Sequence, residues 1–112
     1  MASPAYDGGD NERAHELARQ YGTEFVGLKG FRIPDALLKK VPIELIFRYN
    51  FVPLEETQDE NVAIAVADPG QLLVLDQIKL ALNRGIVTKV SKLRRMSETL
   101  TRTEPALRDG YR

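Results

Sequence analysis

Val62-Ala63-Ile64-Ala65-Val66-Ala67-Asp68-Pro69-Gly70 is the stretch that decides the fold. Successive side chains of a strand point to opposite faces, so Val62, Ile64 and Val66 share one face and Ala63, Ala65 and Ala67 the other. Both faces are apolar. That pattern predicts a central strand over 62–67, covered on both sides. Asp68-Pro69-Gly70 then reads as a turn that launches a helix, with Asp68 expected to cap it.

Downstream, Leu72, Leu75, Ile78 and Leu82 recur at helical spacing and predict the longest helix over 71–83, with Lys79 and Asn83 on its wet side and Arg84-Gly85 ending it. The β-branched run at 86–90 predicts another strand. Ser91 is placed to cap a final helix in which Leu93, Met96 and Leu100 lie three and four residues apart. Upstream, 58–61 is a polar connection of hairpin length, and 51–56 is a strand candidate. Pro53 has no amide hydrogen to give a ladder, so that strand belongs at an edge or carries a bulge.

Pro34 and Pro42 each suit the start of a helix and cannot continue one without a kink. Leu37, Leu38 and Val41, then Leu45, Ile46 and Tyr49, supply two apolar stripes, so 34–50 predicts two short helices in tandem. Residues 23–28, around Phe25 and Val26, form a possible extra strand. Ala14, Leu17, Ala18 and Tyr21 predict a short helix over 12–21, ended by Gly22, which takes positive φ without strain. Residues 1–11 and 103–112 have little to bury and read as a disordered and a flexible tail around one domain over 12–102. These segments together predict an α+β fold: a small, mostly antiparallel sheet of three to four strands covered by short helices.

Composition narrows function. The chain has 112 residues, enough for one domain, and its 16 basic and 16 acidic side chains cancel. No global field draws it to DNA or RNA. It has no cysteine, which removes thiol catalysis and Cys-type zinc sites. No apolar run approaches the ~20 residues that span a bilayer, and the first ten residues lack the basic and apolar regions of a signal peptide. A cytoplasmic location is expected. No phosphate loop, dinucleotide glycine pattern, nucleophile elbow or histidine pair occurs, so no enzymatic activity and no cofactor are expected. His15, the sole histidine, reads as a surface residue on a charged helix.

Charge is unevenly spread. Glu55, Glu56, Asp59 and Glu60 gather around the expected hairpin turn, and Lys79, Arg84, Lys89, Lys92, Arg94 and Arg95 follow later. Segregated charge on a neutral domain suits orientation of a protein partner, and Lys89, Lys92, Arg94 and Arg95 are the candidate docking residues.

Taken in order, the segments resemble a known domain. Tyr21-Gly22-Thr23-Glu24-Phe25-Val26-Gly27-Leu28, Ile33-Pro34-Asp35-Ala36-Leu37-Leu38, Val41-Pro42, Val52-Pro53-Leu54, Val62 to Pro69, and Leu75-Asp76-Gln77-Ile78 are similar to the N-terminal domain of type II secretion and type IV pilus assembly ATPases. The likeness runs from about Leu17 to Arg102. It implies a domain ahead of a motor, in contact with the ATPase or an inner-membrane platform protein, so that this chain would sit peripherally at that membrane. It also implies that ATP hydrolysis belongs elsewhere. A subset of the family binds cyclic di-GMP through a motif beginning Arg-Leu-Gly, which does not occur here, and Gly27 stands where the family often has aspartate. The alternative reading is therefore a cyclic di-GMP sensor, with Arg13, Arg19 and Gly22 toward phosphate and Phe25 and Leu28 toward a base. The short first helix could also swap between copies to give a homo-oligomer.

Overall fold

The computed structural model describes residues 3–110, with side chains over 12–103. The order is α1 (Ser3–Gln20), α2 (Asp35–Lys40), α3 (Ile43–Tyr49), β1 (Val52–Glu56), β2 (Val62–Val66), α4 (Leu72–Leu82), β3 (Ile86–Val90) and α5 (Leu93–Gly110). The α+β class is as the sequence predicts. The sequence predicts tails at 1–11 and 103–112, but α1 takes in residues 3–11 and α5 residues 103–110; of their side chains only Thr103 is described.

β2 is the middle strand of a β1-β2-β3 sheet, and every residue from Val62 to Val66 is buried. β1 is an edge, antiparallel to β2, and its register shifts between Pro53 and Glu55. Pro53 thus sits on an edge strand beside a bulge, the two positions in a sheet where a residue without an amide hydrogen is tolerated.

β3 differs from the expectation. It lies parallel to β2, with Val62 opposite Ile86 and Val66 opposite Val90, so the sheet is mixed rather than mostly antiparallel. The reason is the connection: α4 lies between the two strands and carries the chain back to the starting end, which is how adjacent parallel strands are joined. The possible strand at 23–28 is reduced to a single parallel bridge of Phe25 with Val90, flanked by Val26 N–H to Val90 O at 2.8 Å and Val90 N–H to Glu24 O at 2.8 Å.

Helix ends follow local chemistry. Pro34 and Pro42 occupy the positions just ahead of α2 and α3, giving the expected tandem. α4 ends one turn before Gly85: Asn83 takes the left-handed conformation at φ 57° and donates to Lys79 O. Gly85 has another task. A Cβ there would lie 2.6 Å from Asn61 Oδ1, so the glycine lets two connections touch.

One core gathers Leu28, Ile33, Leu37, Val41, Ile46, Phe51, Val52, Val62, Ile64, Ile78, Met96 and Leu100. A smaller cluster, Ala14 and Ala18 against Val90, packs α1 onto β3. Ala at those helix positions lets the two elements approach closely.

Candidate functional site

The parallel pairing decides where a site can form. β2 and β3 both end at the same side of the sheet, at Val66 and Val90. Open parallel sheets place crevices beyond their carboxyl ends. Here α1 and α5 wall such a crevice, a cleft of about 1080 Å³. Ala67 and Asp68 follow β2 into it, Ser91 and Lys92 follow β3, Arg13, Ala14 and Leu17 come from α1, and Leu93, Arg94, Ser97, Glu98, Thr101 and Arg102 come from α5.

Asp68 does not cap α4. Its Oδ1 accepts from Gly70 N–H at 2.8 Å, closing a turn on itself, and α4 starts later without a side-chain cap. Pro69 and Gly70 intervene, and the carboxylate reaches the amide two residues on first. Ser91 does not cap α5 either. Its N–H donates to Val66 O at 3.0 Å, which prolongs the sheet ladder past β3 and leaves Lys92 immediately ahead of the helix. Ser91 is 1% exposed and its Oγ has no hydrogen-bond partner among the described residues.

The basic zone expected from the sequence divides. Lys92 and Arg94 line the cleft, and Lys92 is only 7% exposed. Arg95 faces Glu98, with Nη1 donating to Oε1 at 3.0 Å. Lys89 pairs with Glu24, and that hydrogen bond, followed by the lysine charge, holds the Glu24 carboxyl below the usual carboxylate range. Lys79 pairs with Asp76, and Arg84 with Glu56. The acidic turn and the later bases are thus partly joined: Glu56 takes both Lys40 (2.8 Å) and Arg84 (2.6 Å), which lower its pKa through these hydrogen bonds.

The residues of the cyclic di-GMP alternative are not gathered in one place. Arg13 lines the cleft. Arg19 pairs with Glu16 on the exposed side of α1, and Gly22 ends that helix at φ 65°. Phe25 lies on Val90 and under the exposed His15 ring, with centroids 4.0 Å apart. Leu28 is 2% exposed within the core.

Ser97, Glu98 and Arg102 enter the site unannounced by any motif, and Asp68 and Ser91, expected as helix caps, enter it as cleft lining. Among the described residues no group of three metal-ligating side chains occurs, and no helix is long and apolar enough to cross a membrane.

Comparison with known proteins places this geometry. Residues 21–109 match the family described as the MshEN domain. The type IV pilus assembly ATPase PilB of Myxococcus xanthus (strain DK1622) is 27% identical over 86 residues, which are 77% of this chain and 15% of that protein. Among solved structures, MshE with cyclic di-GMP superposes at a TM-score of 0.72 with 16% identity, covering 82% of this chain and 66% of that one. Two crystal forms of the XpsE N-terminal domain give 0.69 and 0.70 at 15% and 18% identity, each covering 83% of this chain and 65% of theirs. At these identities the structures share the fold. The chain spans about two thirds of their length and a small fraction of PilB.

Proposed function

The chain belongs to the MshEN domain family, and from that premise we propose that it is a docking and regulatory module of a type II secretion or type IV pilus type machine. The ATPase core of such machines lies outside this chain, which corresponds to 15% of PilB. Its partner is the motor ATPase or the cytoplasmic part of an inner-membrane platform subunit, so it works in the cytoplasm at that membrane.

The observation that carries this reading is the start of α5, where the exposed Leu93 and Arg94 adjoin Arg95 on a domain of zero net charge. A half-exposed leucine beside two guanidinium groups offers an apolar anchor with an orienting charge, a common composition of protein interfaces. Of the other two candidate docking residues, Lys89 pairs with Glu24 and the buried Lys92 lines the cleft. Leu73 and Leu80, 73% and 81% exposed on α4, give a second apolar surface that the isolated domain does not use. α1, tied to β3 by a small cluster, is the element most easily exchanged between copies.

The test is calorimetry against the ATPase core and the platform subunit's cytoplasmic domain from the same organism. Binding to one of them, weakened more than about tenfold by Arg94→Glu with Arg95→Glu, supports the reading if the variant melts like the parent. Binding to neither overturns it. A cyclic di-GMP sensor is the second reading, favoured by the ligand held in the MshE structure and by Arg13 at the cleft. It requires saturable binding that Arg13→Ala or Arg19→Ala weakens; heat-silent titration into folded protein ends it.

A further inference from the structure

Of the eleven residues of α4 only Asp76, Gln77 and Lys79 are polar. The core takes one side of the helix: Ile78 is buried, and Val74, Leu75 and Leu82 pack against the main cluster. Leu72, Leu73 and Leu80 are left in solvent, more exposed than any other large apolar side chain among the described residues. Apolar area gathered on one helix face, rather than scattered, marks an interaction surface.

The order of residues on that face says what fits it. Leu73, Asp76, Gln77 and Leu80 fall at i, i+3, i+4 and i+7, so they form one stripe with a leucine at each end and a polar pair between. Taken from either end, the stripe has the same pattern. Asp76 and Lys79 lie on one flank of it, their charged groups 3.8 Å apart, and Gln77 lies on the other.

A two-fold axis between residues 76 and 77 turns this stripe onto itself with the helices antiparallel, and a two-fold contact needs such a self-matching patch. Leu73 of each copy then meets Leu80 of the other, at the seven-residue spacing of packed helices. The same operation sets each flank against its own equivalent. On one flank Asp76 comes within a helical turn of Lys79 of the other copy, so each carboxylate lies between two ammonium groups. On the other flank the two Gln77 amides meet, and an amide both donates and accepts. Antiparallel helices also oppose their dipoles. A parallel pair would set the charged flank against the Gln77 flank and leave the charges unmatched between copies.

We infer that the outward face of α4 is a homodimer contact, pairing antiparallel with the same face of a second copy about a two-fold axis between Asp76 and Gln77. This gives the apolar surface of α4 an occupant of its own, apart from the partner proposed for the start of α5. One helix face is smaller than the ~1,200 Å² of a stable interface, so association is weak, half complete at roughly 0.1–1 mM chain.

The test uses this chain alone, so it stands or falls apart from the docking reading. Sedimentation equilibrium from about 20 µM to about 2 mM should show one monomer–dimer step. Leu73→Glu with Leu80→Glu should abolish that step while melting like the parent, because both side chains are exposed. Cross-linking reads the register, since the chain has no cysteine. Under mild oxidation a mixture of Leu73→Cys and Leu80→Cys should form disulfide dimer about tenfold faster than either variant alone. Like positions stand about 10 Å apart along the axes, beyond disulfide reach. The inference is overturned if the chain is monomeric throughout, or if the double Glu variant dimerises like the parent, as exchange of α1 would allow. It is also overturned if Leu73→Cys cross-links as fast alone as in the mixture, which a parallel pair would do.

Discussion

The two ends of the sheet treat their polar groups in opposite ways. At the end where β1 finishes and β2 and β3 begin, Glu56 takes Lys40 and Arg84, Arg84 also reaches Glu60 O, and Val62 N–H donates to Gly85 O. Thr57 N–H donates to Asn61 O, and its hydroxyl accepts from Asn61 N–H. Donors there find acceptors within the chain. At the other end, where β2 and β3 finish, Ser91 Oγ has no partner among the described residues and Lys92, with no acceptor side chain, stands ahead of α5. A domain that only had to fold would gain by closing both ends. One end pairs its polar groups, and the other leaves one buried hydroxyl, Ser91 Oγ, without a partner among the described residues.

The strand common to both ends gives the largest expected effect. Ile64 is fully buried at the middle of β2, and Ile64→Asp should cost more than about 3 kcal/mol by burying an unpaired charge. Denaturant unfolding checks this; a parent-like midpoint would mean that β2 does not hold the two ends together. Next, Gly85→Ala brings a Cβ against the end of the Asn61 side chain, which can turn aside, and should destabilise by no more than about 1 kcal/mol.

Glu56→Gln is a smaller perturbation, read in its pH dependence. Lys40 and Arg84 lower the Glu56 pKa in the folded state. Its stabilisation is therefore complete above the unfolded-state pKa and is lost as pH falls through the folded one. Melting curves taken from neutral into acid should converge for parent and Glu56→Gln below that range and separate above it. Parallel curves would show that the closed end owes nothing to this carboxylate. The smallest effect is expected at the open end: Ser91→Ala should be neutral or slightly stabilising, because it removes a hydroxyl with no partner. A clear loss of stability would erase the contrast between the ends.

The closed end and the core were legible because their signals are local. Alternation over 62–67 marks a two-faced strand, Pro53 marks an edge with a bulge, and Pro34 and Pro42 mark the tandem helices. The parallel pairing of β3 was hidden although the helix before it implied it, since strand direction depends on what the connection crosses. Ser91 and Asp68 looked like helix caps because short polar side chains ahead of apolar stripes commonly are. Tertiary structure overruled both: the ladder to Val66 holds Ser91 extended, and Gly70 takes the Asp68 carboxylate. The cleft itself joins α1, the end of β2 and the start of α5, segments far apart in sequence. No spacing announces such a meeting, and of its lining only Arg13, Lys92 and Arg94 had been named as candidate binding residues.

The central claim is that the open end is the binding end. It is tested most directly by mapping amide shifts on labelled protein as the ATPase core or the platform subunit's cytoplasmic domain is added. The account predicts that perturbations gather at Arg13, Ser91 to Arg95 and Arg102, and leave Lys40, Glu56 and Arg84 unmoved. Perturbations centred on Lys40, Glu56 and Arg84, with the cleft residues silent, would contradict it.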